Sequence, residues 1–291
     1  MIRSQADPMA QPMITRSVPR IEFGGERRFV ARFGARTVGL LGLIAVLSLS
    51  ADPSRAETPA VSTTDLPHYV IERAATSITI DGVLDPAEPW STATRIDSFQ
   101  FPWWTSGTRE TTTTRLLWDE EYLYVAFVAT DAHISAHLTE RDAPVSRDDA
   151  VEVFFACDPA DVSVYFNFEF NALGTILDRS PRDNRSSKWN GAGVKVGITI
   201  DGTLNDSTDT DRSWTTEIAI PFTDLAPFAP RLPPANGDQW RLNLYRIGGE
   251  VNPQFSLWSD TQTERPQYHV PARFGLVRFS TRLAGSTTTS P

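Results

Sequence analysis

Apolar and polar side chains alternate with a period of two along most of residues 66–283. Such alternation is typical of β-strands, in which successive side chains point to opposite faces of a sheet. The clearest case is residues 164–171 (VYFNFEFN), which place Val and three Phe on one face and Tyr, Glu and two Asn on the other. Helical periodicity is limited to one turn at residues 222–228. The pattern therefore predicts an all-β protein.

The alternating segments predict nine strands separated by turns rich in Gly, Pro and Asp. These are residues 77–80, 112–118, 122–130, 151–156, 164–171, 194–200, 213–220, 240–247 and 274–279. The acidic residues 119–121 predict a tight hairpin. Strands at this spacing predict a single antiparallel β-sandwich, of the jelly-roll or immunoglobulin-like kind. We expect one domain at residues 66–283, a flexible linker at 57–65 and a disordered tail at 284–291.

The first 56 residues have the order of a secretory signal peptide. Residues 27–37 are basic, residues 38–49 are apolar, and the small residues Ser54 and Ala56 precede the expected cleavage point. The apolar run is shorter than the roughly 20 residues of a membrane span, although a membrane anchor remains the alternative. We expect residues 1–56 to be removed and the rest to be secreted, periplasmic or extracellular, with no membrane insertion after cleavage.

Charge and composition exclude several classes of protein. The net charge is −9, and removal of the basic leader makes the remainder more acidic, which argues against a nucleic-acid partner. One cysteine excludes an internal disulfide. The chain has no Gly-rich phosphate loop after a strand, so no nucleotide is expected. All three Met lie in the leader, which leaves few axial ligands for haem. The acidic loop at 205–211 lacks the spacing of an EF-hand, so the sequence assigns no metal ligands.

Several strands carry acids, amides and Tyr at the positions opposite their apolar residues. They include Glu152, Asn167, Glu169, Asn171, Asn243 and Tyr245. If these strands are neighbours, the side chains form one polar concave sheet face. An ordinary solvated face is one interpretation. A sugar-binding face is the other, because acids and amides bind vicinal hydroxyls and aromatic rings pack on C–H groups.

Four strings carry a resemblance to a known family. They are residues 80–85 (IDGVLD) with Trp90 after them, residues 117–127 (LWDEEYLYVAF), residues 147–154 (RDDAVEVF) and residues 273–275 (RFG). In this order, and over roughly residues 69–280, they resemble the family 9 carbohydrate-binding modules. The resemblance implies a β-sandwich that binds a polysaccharide or oligosaccharide, holds chain ends between two Trp, contains structural calcium, and accompanies a glycan-degrading enzyme.

The outward positions and the resemblance together give a set of carbohydrate-binding candidates. They are Arg147, Glu152, Asn167, Glu169, Asn171, Asn243, Tyr245 and Tyr268. The resemblance places Ser146 and Tyr268 at the positions of the two sandwiching Trp, and Glu169 where the xylanase modules have an Arg. Further stacking candidates are Trp103, Trp104, Trp189 and Trp258, while Trp90, Trp118, Trp214 and Trp240 are expected in the core.

The sequence thus predicts a secreted, non-catalytic carbohydrate-binding module associated with polysaccharide catabolism. A protein-interaction sandwich at the cell surface is the alternative. A glycoside hydrolase would need two facing carboxylates, and only Asp148, Asp149 and Glu152 lie close together in a distinctive setting. A haem-binding domain is disfavoured by the missing Met.

Overall fold

The computed structural model describes residues 63–181 and 189–286. The predicted signal peptide and most of the linker lie outside these residues. The described part contains β1 (His68–Arg73), β2 (Thr112–Trp118), β3 (Tyr122–Thr130), β4 (Ala150–Ala156), β5 (Phe166–Asn171), β6 (Ile176–Arg179), β7 (Lys195–Asp201), β8 (Ser213–Pro221), α1 (Phe222–Leu225), β9 (Gln239–Ile247), β10 (Phe255–Leu257) and β11 (Gly275–Leu283). Within it, no helix has the length and apolar character needed to cross a bilayer. The all-β prediction is confirmed.

The described strands form one hydrogen-bonded sheet in the order β6-β5-β4-β9-β11-β1-β2-β3-β8-β7, and β10 pairs with β9. The sheet curls so that Phe127 of β3 and Phe155 of β4 belong to the same hydrophobic core. The expectation of a purely antiparallel sheet is wrong, because β1 runs parallel to both β2 and β11. Parallel neighbours need a long connection, and residues 74–111 provide it between β1 and β2.

Sequence and structure agree best at the β2–β3 hairpin, whose strands have the predicted bounds. Asp119 fixes this turn, since its Oδ1 accepts the backbone N–H groups of Glu121 and Tyr122 at 2.7 and 2.8 Å. The prediction of a strand at 77–80 is wrong, because these residues have no regular secondary structure. The strands β1, β6 and β10 were not predicted, and two of them have only four and three residues.

A buried carboxylate holds the segment that follows residue 80. Oε2 of Glu217 accepts the N–H groups of residues 81–83 at 3.1, 2.7 and 3.2 Å, and Oε1 accepts Trp90 Nε1 at 2.6 Å. Gly82 has φ +87°, and a Cβ there would lie 2.5 Å from the backbone of Ile198, so only glycine fits. The IDG string and Trp90 therefore form a structural clamp on β8.

The main core lies on the inner side of the curled sheet. Phe166, Phe168 and Phe170 point into it, as their alternation predicts, and the ring of Phe155 stacks on Trp240 at 5.4 Å. The four Trp expected in the core are each at most 2% exposed.

Trp258 also lies in this core, so its assignment as a stacking candidate is wrong. Its ring packs against Gly275, where a Cβ would come within 2.6 Å of it.

Ion pairs on the inner side fix the start of β4. The buried guanidinium of Arg246 on β9 contacts the carboxylates of Asp131 and Asp149. Oδ2 of Asp149 also accepts the backbone N–H and the hydroxyl of Ser135 at 2.8 and 2.9 Å. Because Asp149 directly precedes β4, these contacts set the position from which Glu152 projects.

Glu217→Gln tests the clamp on β8. The amide replaces one acceptor oxygen with a donor that faces other N–H groups, so buried donors lose their partner. We expect the free energy of unfolding to fall by about 2–3 kcal/mol, measured by urea denaturation. Glu121→Gln on the exposed hairpin is the matched control and should change stability little. Equal stability of the two variants would contradict the clamp.

Candidate functional site

The outer face of the sheet brings the predicted polar side chains into two adjacent rows. In the first row Glu152 of β4 pairs with Glu169 of β5 on one side and with Tyr245 of β9 on the other. In the second row Phe154 lies between Asn167 and Asn243. Directly paired residues on adjacent strands lie on the same face, with Cβ atoms about 4.5–5.5 Å apart.

Residues 258–274, here called the strap, cover the β9 part of this face. Three outward side chains of β9 donate hydrogen bonds to strap carbonyls. These bonds join Arg241 to the carbonyls of Ala272 and Phe274 at 2.9 and 2.8 Å, Asn243 to that of Ser259 at 2.8 Å, and Tyr245 to that of Tyr268 at 2.8 Å. The strap therefore covers the β9 part of the predicted polar face, and its backbone takes the place of solvent there. Asn243 and Tyr245 are fully buried.

A cavity of about 230 Å³ remains between the strap and the outer face of β4 and β5. The carboxylates of Glu152 and Glu169 are its most deeply buried polar groups, and Ser146 lies at its rim. The other lining residues are Ile247, Phe255, Pro266, Gln267, Tyr268 and His269. The cavity thus combines two acids with an aromatic side contributed by the strap.

The carboxylate of Glu152 has no hydrogen bond or ion pair with any residue that the structure describes, although Glu152 is only 2% exposed. Glu169 differs, because it accepts Asn167 Nδ2 at 3.0 Å. Burial raises the pKa of both carboxyls, and repulsion from Glu169 raises the pKa of Glu152 further. Arg179 of β6 opposes both shifts.

Arg179 is the charged residue near the cavity that the sequence did not predict. It pairs with Asn167 across β5 and β6 and so lies on the same outer face. Its Nε is buried without a hydrogen-bond partner, and among the described residues it forms no ion pair. β6 has only four residues, too few for its alternation to be recognised in the sequence.

The aromatic side of the cavity is held by stacking. The ring of Tyr268 stacks on Tyr245 at 4.1 Å and 19°, and its hydroxyl donates to the Arg246 carbonyl at 3.0 Å. Tyr245 thus supports Tyr268 from below and does not itself line the cavity. His269 lies beside Tyr268, with Nδ1 2.9 Å from the hydroxyl of Tyr165. Partial burial and Arg179 lower the pKa of His269, which favours its neutral form.

Five predicted binding residues do not line the cavity, namely Arg147, Asn167, Asn171, Asn243 and Tyr245. Asn171 donates to the Leu138 carbonyl and to Asp148, and its Oδ1 accepts two backbone N–H groups. Asn243 likewise accepts the Ser259 N–H at 2.9 Å in addition to its bond to the strap carbonyl. Both amides therefore serve the fold. Arg147 is exposed and lies next to the rim residue Ser146.

Trp103 and Trp104 line a second depression, of about 530 Å³, which shares Phe255 and Pro266 with the cavity. Trp103 donates to the Thr263 carbonyl of the strap at 2.7 Å, so one side of its ring is fixed. Trp104 is 37% exposed, and the guanidinium of Arg109 lies 4.3 Å from its ring centre. The two Trp thus adjoin the cavity.

Trp189 lies elsewhere. Its ring packs on Phe166 and Phe168 at 5.5 and 5.9 Å, at the margin of the main core. The prediction that Trp189 is a stacking residue is therefore wrong for the same reason as that for Trp258, because both rings pack on the core.

No group of three or more His, Cys, Asp or Glu in residues 63–181 and 189–286 is arranged to hold a metal ion. In the acidic loop at 205–211, Asp211 accepts the Ile134 N–H at 2.7 Å, and Asn205 exchanges two hydrogen bonds with the backbone of Ala136. These oxygens are thus bonded to the backbone. Structural calcium stays a prediction from the resemblance.

Comparison with known proteins adds a family and a fold. The model of carbohydrate-binding family 9 matches residues 92–279. Among curated proteins, none matches the chain. A candidate carbohydrate-binding protein from Bacteroides uniformis is similar in structure, with a TM-score of 0.62 and 20% identity over 73% of this chain and 99% of that chain.

A family 9 carbohydrate-binding module from Caldicellulosiruptor kristjanssonii, solved with cellotriose and with glucose, is also similar. Its TM-score is 0.52 in both structures, with 15% identity over 77% of this chain and 100% of that chain. At identities of 20% and 15%, the similarity to these two proteins shows a shared fold only.

Glu152→Gln tests the unpaired carboxylate. A carboxyl whose pKa is higher in the folded than in the unfolded state binds its proton more tightly when folded, so stability falls as pH rises above about 4.3, the unfolded value. The variant has no carboxyl at this position, so its stability does not fall with pH for this reason. We expect it to exceed the wild type by about 1–3 kcal/mol at pH 8 and to equal it near pH 4, measured by urea denaturation at both pH values.

Asp209→Asn removes an exposed carboxylate outside the cavity lining and is the matched control for the change in net charge. The same stability difference at both pH values would mean that Glu152 does not carry a buried charge.

Proposed function

The chain belongs to carbohydrate-binding family 9, and we propose that it is a secreted, non-catalytic module that binds a glycan in the cavity beneath the strap. The observation that carries this proposal is the cavity itself, where the acids Glu152 and Glu169 face the aromatic side chain of Tyr268. This is the combination that a sugar requires, because its hydroxyls need acceptors and its C–H face needs an apolar surface.

The size of the cavity favours a single terminal sugar ring. Its volume of about 230 Å³ is below the roughly 300–1,000 Å³ of sites for drug-sized ligands. Glu152 and Glu169 would accept hydrogen bonds from the ring, and Tyr268 would pack on its edge or face. A site of this size holds about one ring, which suits the end of a chain.

The remaining rings of a longer glycan would follow the second depression. It begins at Phe255 and Pro266, which also line the cavity, and continues to Trp103 and Trp104. The exposed ring of Trp104 provides a flat surface for a second or third sugar. Arg109, which lies over the same ring, would supply donors at its edge.

We propose binding without hydrolysis because of the direction of the two carboxylates. Glu152 and Glu169 project side by side from adjacent strands and so approach a ligand from one side. Glycosidases instead need carboxyl groups that flank the scissile bond. Asp148 and Asp149, the other acids of this segment, bond to Asn171 and Arg246 and do not line the cavity. Binding alone suits a module that accompanies a glycan-degrading enzyme in polysaccharide catabolism.

A glycan array of neutral, acidic and amino sugars tests the proposal, with the purified protein in calcium or in EDTA. We expect retention on at least one oligosaccharide, and a loss in EDTA would indicate the predicted calcium. Trp104→Ala should weaken binding of that oligosaccharide about 3- to 10-fold, the worth of one aromatic contact, and leave binding of its terminal monosaccharide unchanged.

Absence of retention on every glycan would contradict the proposal and favour a protein-interaction domain. Shortened products after incubation with the retained oligosaccharide would contradict its non-catalytic part.

Ser146→Trp tests the position of the sugar ring. Ser146 is exposed at the rim of the cavity, at the position where the family resemblance places a sandwiching Trp. A second aromatic surface there should raise affinity for the retained sugar by about 0.5–1.5 kcal/mol, or 2- to 10-fold. Isothermal titration would measure it. Ser91→Trp, at an exposed position outside the cavity lining, is the control and should leave affinity unchanged. Equal effects of the two variants would place the sugar elsewhere.

A further inference from the structure

We propose that the sugar in this cavity is an amino sugar with a free ammonium group, such as a terminal glucosamine, and that this group binds between Glu152 and Glu169. The inference rests on the proposed function, because it names the class of sugar that the same site takes.

The first argument is the unpartnered carboxylate. Glu152 is 98% removed from solvent, lines the cavity, and has no hydrogen-bond donor from any described residue. Buried carboxylates in proteins are otherwise paired or hydrogen-bonded, since an unpaired buried charge is costly. No described residue supplies a donor to this group, so its donors come from what occupies the cavity, which is water or a ligand.

The second argument is the local charge. Among the described residues, Glu152 and Glu169 are the acids that line the cavity, and no described Lys or Arg lines it. Arg179 acts on both carboxylates from β6 without forming an ion pair with either among the described residues. When both Glu152 and Glu169 are ionised, the charge of Arg179 balances only one of them, so one further positive charge would neutralise the group. A hydroxyl donates a hydrogen bond but brings no charge, whereas an ammonium group brings three donors and a charge together.

A metal ion fits the same two carboxylates less well. Calcium takes six to eight oxygen ligands, and the described residues hold no group of three or more acidic, His or Cys side chains arranged for a metal. The strap contributes the ring of Tyr268, the imidazole of His269 and the amide of Gln267 to the cavity, and among the described residues it contributes no carboxylate. These walls suit an organic cation on a ring.

Proton exchange should accompany binding. Burial raises the pKa of both carboxyls in the cavity, and repulsion from Glu169 raises the pKa of Glu152 further, so the pair retains a proton to higher pH than an exposed acid does. The groups facing the pair are Arg179 from β6, Tyr245 from β9, Asn167 from β5, and Tyr268 and His269 from the strap. An ammonium ion favours the ionised form of both carboxyls, so the pair gives up its proton on binding. His269 does not take up this proton because its pKa is lowered, and the Tyr hydroxyls cannot because their raised pKa keeps them protonated. The proton therefore leaves to solvent.

Isothermal titration with glucosamine, N-acetylglucosamine and glucose, and with short oligomers of each, tests the inference. We expect glucosamine and its oligomers to bind at least about tenfold more tightly than the acetylated and neutral sugars, the difference made by one charge-assisted hydrogen bond. Titrations in two buffers of different ionisation enthalpy should show proton release with glucosamine alone. Lowering the pH should weaken glucosamine binding, since the carboxyl pair then holds its proton.

Glu152→Gln keeps the shape of the side chain and removes its charge. We expect this variant to lose the preference for glucosamine, while Asp209→Asn, which makes the same change in net charge at an exposed position, keeps it. Unfolding curves of both variants would show that each is folded under the conditions of the titration.

Two outcomes overturn the inference while the proposed function stands. One is equal affinity for glucose and glucosamine with no effect of Glu152→Gln. The other is binding of calcium chloride in the absence of sugar that depends on Glu152, which would assign the pair to a metal. Lack of binding to every sugar on the array would overturn the proposed function as well.

Discussion

The hydrogen bonds from β9 to the strap are the constraint on which the site depends. Arg241, Asn243 and Tyr245 are spaced two apart, and each donates to a backbone carbonyl of residues 258–274. The strap needs these donors because its carbonyls are covered, and buried carbonyls are almost always bonded. The strap in turn buries these side chains and supplies the acceptors for their N–H and O–H groups. This mutual satisfaction seals one half of a polar face and leaves the cavity over the other half.

Two carboxylates on the outer side of the sheet show how the same residue type takes two roles. Glu217 and Glu152 are both buried, and both alternate with core residues along their strands. Glu217 accepts three backbone N–H groups and an indole N–H, so every acceptor has a structural partner. Glu152 has none within the described residues. The difference lies in what covers each residue, a tight glycine turn in one case and an open cavity in the other. Satisfied groups of this kind stabilise folds, and unsatisfied ones are expected where ligands bind.

Strand positions and the inner core could be predicted from the sequence because alternation directly reports which side chains share a face. The hairpin at Asp119 and the Phe residues of β5 follow from it. The same alternation gives no information on what lies over the opposite face, so a solvated Asn and a buried Asn243 have the same pattern. The strap has no periodicity of its own, and its role arises from side-chain bonds to its backbone. Arg179 was missed for a related reason, because its strand is too short to show a period.

The one-sided arrangement of aromatic rings shapes how this cavity discriminates between ligands. Tyr268 provides a fixed ring on the side of the strap, held by Tyr245, while the opposite rim at Ser146 has no ring to close on a sugar. Stacking on one surface is weak and tolerant, because most pyranoses offer a similar C–H face. Selectivity then has to come from the polar groups, and those are two carboxylates with one cation at a distance. We therefore propose that a site with a ring on one side and two buried acids distinguishes its ligands mainly by charge and by the position of their hydrogen-bond donors.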